Sequence, residues 1–506
     1  MCAQWFFERV SGWLLCRTDG VPRGKVRLLL LAGMLAVVVL GHGFLGVAQE
    51  RVFRAGAATA NITPFLGSAI VGGFRPVPST YVHDELLVRC LVLDDGRQKL
   101  AFVLCDNVGI PREVFDQART WVQQEVGIRP EYVLMASTHT HSGVSARNEN
   151  DRIRPAEMLS DYQRFVARRI ADAVRCAVET LRPARIGWGT FDEPSQVFNR
   201  RWFVTDPQLL ANPFGGHDRV RMNPPRGSQA LDRPAGPVDP QVSLVFVQGV
   251  DGRPISLLAN YALHYVGGVP PGHISADYFG VFAAKVAEKL QADSFDPPFV
   301  AMMSNGTSGN INNIDFRSTA KPLPPYAKMH EVAELLARRT IERLPSIQMH
   351  DWVALDALWE ELPLKVRKPS QEQLQWARQI LASDQPPQDV RQPVYARRFV
   401  ELAEAPDTVE VPIQVVRLGD LAVVGIPFEV FVETGLHLKK ESPFGQTFVI
   451  ELANGSYGYL PTPEHHELGG YETWLGTCNV EEQAATKIAA TALELLARLH
   501  AQPSER

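Results

Sequence analysis

The sequence predicts an α/β fold (α+β mixed), a single large domain with mixed β-sheets and flanking helices. Short apolar, β-branched segments recur along its 506 residues, and several are joined in pairs by turns that contain Gly and Asp. Between the pairs lie longer segments whose apolar residues are three and four positions apart, as in helices that cover a sheet. This alternation is typical of domains in which helices pack on sheets of mixed direction.

Three of these pairs predict β-hairpins. The first pair is joined around Asp94-Asp95-Gly96 and the last around Gly419-Asp420, and both sequences accept the positive φ that tight turns require. The predicted strand pairs are Glu85 to Leu93 with Lys99 to Cys105, Val242 to Gln248 with Ile255 to Tyr261, and Val411 to Leu418 with Leu421 to Ile426.

The helical spacing is found in four further segments. They are Tyr162 to Leu181, Phe279 to Leu290, His330 to Leu344 and Glu481 to Leu499. A fifth helix is predicted to end at Ala382, because Ser370 and Gln373 have the spacing of a capping box. That helix lies in a polar, proline-flanked stretch, residues 363–406, which we interpret as a helical excursion from the main domain.

Composition limits the class of protein. Hydrophobic residues make up 45% of the chain and charged residues 21%, which is typical of globular proteins and excludes disorder, collagen and coiled coil. The net charge of −5 predicts no nucleic acid partner. The six cysteines contain no CxxC pair, so a metal would have to be held by histidine and carboxylate.

Residues 1–49 predict an N-terminal signal peptide or signal anchor. Basic residues such as Arg23, Lys25 and Arg27 precede an apolar run, Leu28 to Ala48, that is long enough to cross a bilayer. The pattern fits a cleaved signal as well as an uncleaved single membrane helix. Either alternative makes residues 50–506 extracytoplasmic, secreted or periplasmic in the first case and anchored to the membrane in the second.

A His-x-His pair is the first candidate for chemistry. His139 and His141 follow a predicted strand, Tyr132 to Ala136, and residues two apart in an extended segment point the same way. Such a pair occurs in zinc sites, but histidines in polar loops are more often surface residues or satisfied core donors. The surrounding Ser and Thr residues can supply hydrogen bonds that fix the imidazole tautomers.

Other candidates also follow predicted strands, where α/β folds present functional groups. His264 follows the strand that ends near Tyr261, Glu429 follows Leu421 to Ile426, and Tyr459 follows a later apolar segment. Each has an ordinary structural alternative. His264 fits a buried donor, Glu429 a helix cap, and Tyr459 a core aromatic residue with a bonded hydroxyl.

At these positions the chain resembles the neutral/alkaline non-lysosomal ceramidases, zinc amidases that cleave the N-acyl bond of ceramide. The matching segments run from about Arg54 to Tyr471, and the set is specific although no single segment is. They are Ala57 to Pro64, Thr138-His139-Thr140-His141-Ser142-Gly143, Asn199-Arg200, Asn260-Tyr261-Ala262-Leu263-His264, Pro427-Phe428-Glu429 and Asn454 to Tyr459.

The resemblance implies a neutral-ceramidase-like zinc hydrolase domain over residues 50–506. It implies that His139, His264, Glu429 and Tyr459 bind Zn2+. Two imidazoles and a carboxylate are a common catalytic zinc set, which leaves a coordination position for water or substrate, and a phenolate is a tolerable further ligand. Because these residues span both halves of the chain, one large domain is expected.

The resemblance also implies three residues that act beside the zinc. His141 is expected to move protons between the attacking group and the leaving amine. Arg200 is expected to contact substrate, and Tyr471 to donate to the developing oxyanion. The alternatives are that Arg200, beside Arg201, is a solvated charge and that Tyr471 belongs to a surface loop.

The sequence departs from the family in two places. Where ceramidases carry a serine regarded as nucleophile or close substrate contact, this chain has Asn312, whose amide cannot become an alkoxide but can hydrogen-bond a substrate. Zinc-activated water is therefore the expected attacking group. The chain is also expected to lack the immunoglobulin-like C-terminal domain of typical ceramidases, because it ends at Arg506. It resembles a divergent member.

These observations predict a zinc-dependent hydrolase of a linear amide (N-acyl) bond, in a small-molecule or lipid amide such as a sphingolipid. Two alternatives stay open: a zinc hydrolase of the same scaffold that cleaves an ester or lactone, and a non-catalytic metal-binding homologue. The expected membrane contact is the N-terminal segment, if that segment is uncleaved.

Overall fold

The mixed α/β class is confirmed by the arrangement of strands and helices. The computed structural model describes residues 51–73, 76–146, 153 and 158–503. The predicted signal peptide or anchor, residues 1–49, lies outside them. Among the described residues, no helix combines the length and the apolar character needed to cross a membrane. Val52–Arg506 forms one compact unit, and the boundary at residue 49 stays a prediction.

The strands are given in chain order. They are β1 (Arg54–Asn61), β2 (Ala69–Ile70), β3 (Val77–Pro78), β4 (Tyr81–Val82), β5 (Leu87–Asp94), β6 (Lys99–Cys105), β7 (Val133–Ser137), β8 (Arg182–Asp192), β9 (Phe198–Asn199), β10 (Arg201–Val204), β11 (Arg221–Met222) and β12 (Leu231–Pro234). They continue as β13 (Gln241–Gly249), β14 (Pro254–Tyr261), β15 (His273–Ile274), β16 (Val300–Asn305), β17 (Ile311–Asn312), β18 (Met349–His350), β19 (Leu355–Lys365), β20 (Thr408–Leu418), β21 (Leu421–Ile426), β22 (Glu429–Val430), β23 (Gln446–Glu451) and β24 (Tyr459–Leu460).

The helices pack on these strands. They are α1 (Arg112–Val126), α2 (Asp161–Glu179), α3 (Asp277–Lys289), α4 (Ala327–Arg343), α5 (Gln371–Ala382), α6 (Gln392–Glu404), α7 (Val432–Glu441), α8 (Pro463–Leu468) and α9 (Ala484–His500).

Two sheets form the centre of the described part of the chain. The larger has the order β16-β14-β13-β8-β1-β5-β6-β7, with β18 paired to β8, and the smaller has the order β19-β20-β21-β23. Apolar residues of α1 and α2 pack with the β5 and β6 region of the larger sheet, and those of α3 and α4 with β14 and β16. Apolar residues of α6 and α9 pack with β20 and β21.

All three predicted hairpins form, as β5 with β6, β13 with β14, and β20 with β21. The capping box at Ser370 and Gln373 is also present. The excursion contains a second helix, α6. Both of its helices lie between β19 and β20, which pair with each other along their whole length.

Three parallel strand pairs determine where the functional residues meet. β6 pairs with β7, β14 with β16, and β21 with β23, so the two chain segments that follow each pair leave from the same edge. The ends of β7 and β23 are joined directly, because the Asn454 amide donates to the Met135 carbonyl at 2.7 Å. Segments remote in sequence therefore emerge together.

Candidate metal centre

Three histidines converge beyond the carboxyl ends of β7 and β14. Nε2 of His139 lies 3.0 Å from Nε2 of His264 and 3.1 Å from Nε2 of His141. The ligand atoms of the three lie within 4.8 Å of one another, a grouping that could hold a metal ion. The predicted convergence of His139 with His264 is thus present.

The backbone of His139 differs from the extended form that the sequence predicts. Its φ is +67°, in the left-handed region, which costs a non-glycine residue free energy. In this conformation its amide donates to the carbonyl of Asn107, which follows β6, at 2.9 Å. His139 and His141 therefore reach a common point through a local bend and not through strand periodicity.

In His139 and His264, a hydrogen bond from Nδ1 leaves Nε2 without a proton. Nδ1–H of His139 donates to the Val108 carbonyl at 2.6 Å, and Nδ1–H of His264 donates to the Ser308 carbonyl at 3.1 Å. Burial, and next the charge effects of His139 and Arg200, hold the pKa of His264 well below its usual range. Two lone pairs 3.0 Å apart repel unless a cation lies between them, so this donor set fits a metal ion.

A carboxylate and a phenol complete the group. β22 and β24 pair in parallel with Glu429 opposite Tyr459, which brings these two side chains together. Glu429 Oε2 lies 3.3 Å from Nε2 of His139 and 3.8 Å from Nε2 of His264. Glu429 precedes α7 and does not cap it, because the N-cap residue is Phe431. Two imidazoles, a carboxylate and a phenol are donors that zinc accepts.

Arg200 lies behind Tyr459 and is not a solvated charge. It is buried, and its Nη2 donates to the Tyr459 hydroxyl at 3.0 Å while its Nε donates to Glu472 at 2.9 Å. Burial raises the pKa of Tyr459 well above its ordinary value, and Arg200 opposes that increase. Arg201 shares the Glu472 carboxylate at 2.7 Å. The guanidinium thus provides positive charge beside the phenol.

His141 and Tyr471 face a cavity of about 940 Å³. The imidazole of His141 stacks on the ring of Tyr265, with centroids 3.8 Å apart and an interplanar angle of 11°. The ring of Tyr471 packs edge-on against that of Tyr459 at 5.6 Å. Both positions fit direct contact with a bound molecule.

Three of the four candidate ligands and part of the excursion line the same cavity. The ligands are His139, Glu429 and Tyr459, and α6 contributes residues that are both charged and apolar. Those α6 residues are Val394, Arg397, Arg398, Glu401 and Leu402. The excursion thus borders the same cavity as the histidines.

No protein-family model matches the sequence. Two solved structures match most of it. A neutral ceramidase from Pseudomonas aeruginosa is 18% identical, with a TM-score of 0.64, and the match covers 90% of this chain and 76% of that one. A ceramidase complexed with C2 is 16% identical, with the same TM-score of 0.64, and the match covers 90% of this chain and 77% of that one. The chain has the neutral ceramidase fold. The predicted resemblance is thereby confirmed for the fold.

Asn312, the position at which neutral ceramidases are expected to carry serine, lies away from the described cavity lining. Its amide donates to the Asn223 side chain at 3.2 Å, and β17 pairs with β9 beside Arg200. Its role as a substrate contact stays a prediction.

Sequence reasoning missed the polar residues behind His264. Ser308 lies against Nδ1 of His264, and Glu451 accepts a hydrogen bond of 2.5 Å from the Ser308 hydroxyl. Glu451 ends the apolar strand β23, and a carboxylate at the end of such a strand was the available signal. Glu472 and Tyr265 were missed as well, because only the folded chain brings Glu472 to Arg200 and Tyr265 to the ring of His141.

Proposed function

We propose that this protein is a zinc-dependent hydrolase that cleaves an N-acyl amide bond. The observation that carries the proposal is the convergence of His139, His264, Glu429 and Tyr459 on one point beside a cavity. Zinc bound by these four residues would polarise a substrate carbonyl and lower the pKa of water to about 7.

In this proposal His141 is the proton carrier and not a ligand. Its Nε2 is as close to His139 as that of His264 is, so distance alone does not separate the two roles. Two differences support proton transfer. His141 is half-buried and lines the cavity, whereas His264 is 1% exposed and held from behind by Ser308. An imidazole facing the substrate can accept a proton from the attacking water and give it to the leaving nitrogen.

Arg200 and Tyr471 assist from different sides. Arg200 contacts Tyr459, and its charge favours the phenolate form of that residue. It therefore acts through Tyr459 and not as a substrate contact. Tyr471 lines the cavity, where its hydroxyl can donate to the substrate carbonyl oxygen as negative charge develops there.

Water is the attacking group in this proposal. Asn312 cannot act as a nucleophile, and the nearby Ser308 hydroxyl is committed to Glu451 at 2.5 Å.

The substrate we propose is a linear small-molecule or lipid amide. The two solved structures that match this chain are ceramidases, one of them complexed with C2. The cavity has both apolar and polar walls, which fits an acyl chain joined to a polar amine. We propose in addition that residues 1–49 export the domain and, if uncleaved, anchor it to the membrane.

An activity panel tests the proposal. Purified protein is incubated with N-acyl amides of graded chain length and with esters of the same acyl groups, with and without a chelator. We expect amide hydrolysis that the chelator abolishes and added zinc restores. Hydrolysis of esters alone would replace the proposal with an esterase. Stoichiometric zinc without turnover of any compound would leave a metal-binding protein.

A further inference from the structure

A fully buried carboxylate lies behind the metal centre and has no role in the proposed reaction. Glu451 is 0% exposed at the end of β23, whose preceding residues are mostly apolar. Burial of a carboxylate is costly unless hydrogen bonds compensate it. The partners of Glu451 therefore indicate what it does.

Glu451 joins the two segments that carry candidate ligands. Its Oε1 accepts from the Ser308 hydroxyl at 2.5 Å, and its Oε2 accepts from the amides of Ser308 at 3.2 Å and Val430 at 2.8 Å. Ser308 holds Nδ1 of His264 through its carbonyl at 3.1 Å and faces it with its hydroxyl at 3.3 Å. Val430 follows Glu429 directly. One carboxylate thus bridges the support of an imidazole and the strand of a carboxylate ligand.

The geometry points to Glu451 as the positioning residue of the metal centre, acting through Ser308 on His264 and through Val430 on Glu429. This inference rests on the proposed function, because it concerns how tightly and in what shape the four ligands hold the metal. Metal-bound histidines commonly give their second N–H to a fixed acceptor, which sets the tautomer and strengthens the ligand. Here the Ser308 carbonyl is that acceptor, and Glu451 orients Ser308 by accepting from its hydroxyl and its amide.

The choice of glutamate supports this role. The site presents three donors, which a carboxylate accepts with its two oxygens. A glutamine of the same size has one acceptor oxygen, and its amide hydrogens would face donors. In the metal-free protein burial raises the pKa of Glu451 to about 8, and the hydrogen bonds from Ser308 and Val430 oppose that increase. The charge of a bound divalent ion would favour the carboxylate form, which accepts from all three donors.

The test measures metal binding separately from activity. Full-length protein and the variants Ser308→Ala and Glu451→Gln are loaded with zinc, and affinity is measured by competition with a chromophoric chelator. We expect each variant to bind zinc about 10- to 100-fold more weakly. The Co2+-loaded variants should also show shifted visible absorption bands, which report the ligand geometry.

Ser256→Ala is the matched control. The Ser256 hydroxyl donates to the Val300 carbonyl at 2.7 Å, and the residue is 0% exposed, but it lies in β14 before the segment that carries His264. We expect wild-type zinc affinity and an unchanged cobalt spectrum for this control. Its thermal unfolding midpoint shows what losing a buried serine hydrogen bond does to stability alone.

The outcomes separate the two proposals. Wild-type protein that binds no zinc would overturn the proposed function and this inference with it. Wild-type binding together with unchanged affinity and unchanged cobalt spectra in both variants would overturn this inference alone. If Ser256→Ala also bound zinc more weakly, the effect would be one of general destabilisation, and this result too would overturn the inference about Glu451.

Discussion

The candidate metal centre has two sides that differ in chemistry. The buried side has ionisable groups held by other protein groups: Glu451 bonded to Ser308, and Arg200 paired with Glu472 at 2.9 Å behind Tyr459. The cavity side has His141, which stacks on Tyr265, and Tyr471, which packs edge-on against Tyr459. The buried side is thus suited to hold and tune a metal, and the cavity side to contact substrate.

The same difference separates the two inner imidazoles. Both give their Nδ1 proton to a main-chain carbonyl, but the carbonyl that His264 uses belongs to Ser308, whose hydroxyl and amide are both held by the Glu451 carboxyl group. The Glu451 side chain can be changed without removing that carbonyl. Metal retention and turnover should therefore respond to different substitutions, and this separation can be tested.

The largest effect is expected from His264→Ala. The variant should lose zinc, and kcat/KM should fall roughly 10³-fold or more, because the Lewis acid contributes several kcal/mol to the transition state. Metal content by mass spectrometry of the native protein and hydrolysis of the best amide substrate measure both effects. His350 lies in β18 and stacks on Trp188 of β8, so His350→Ala is the control and should retain zinc. Full zinc content in His264→Ala would refute the ligand assignment.

A smaller effect is expected from His141→Ala. This variant should keep its zinc but lose about 10²- to 10⁴-fold in kcat, because only the proton carrier is removed. Metal content and kcat are measured on the same preparation. Loss of zinc together with activity would instead make His141 a ligand, as its distance of 3.1 Å from His139 permits.

The smallest effect concerns pH and the buried side. Burial raises the pKa of Glu451 to about 8, above its value in the unfolded chain, so between those values the native protein binds one proton more than the unfolded chain. Glu451 stabilises the metal-free protein fully at low pH, and this contribution falls as pH rises toward 8. From pH 5.5 to 7.5 wild type should lose about 2–3 kcal/mol more unfolding free energy than Glu451→Gln.

Urea unfolding of both chelator-treated proteins at the two pH values measures this difference. The histidines are the same in both proteins, so their contributions cancel in the comparison. An identical pH dependence of the unfolding free energy in the two proteins would show that the native fold does not raise the pKa of Glu451, and would contradict this prediction.

Local sequence signals predicted the local structure well. The three hairpins and the Ser370 capping box depend on turn and cap residues close in sequence, and all of them form. Besides β21, β20 also pairs with β19, and this pairing could not be predicted. Nothing near Leu355–Lys365 encodes pairing with residues 43 to 63 positions away, beyond two helices. Long-range pairing depends on how whole sheets pack.

The candidate site follows the same rule. His139, His264, Glu429 and Tyr459 were predicted from their positions after strands and from the resemblance, and the fold brings them together. The link between Ser308 and Glu451 was not predictable, because it forms only where the ends of β16 and β23 meet. The burial of Arg200 likewise depends on Glu472, which is remote in sequence.

Gly309 determines how closely the two halves of the site approach. A Cβ at this position would lie 2.5 Å from the Glu429 carbonyl oxygen and 2.9 Å from its carbonyl carbon, and the Gly309 amide donates to the Val430 carbonyl at 2.8 Å. Glycine is thus required here because there is no space for a side chain, and not because of its backbone conformation. Any larger residue would force the main chains apart, and a divalent ion tolerates only a few tenths of an ångström in its bond lengths. The spacing between the two main chains of the candidate site is therefore set by a missing side chain, and redesign for a larger ion could begin at this position.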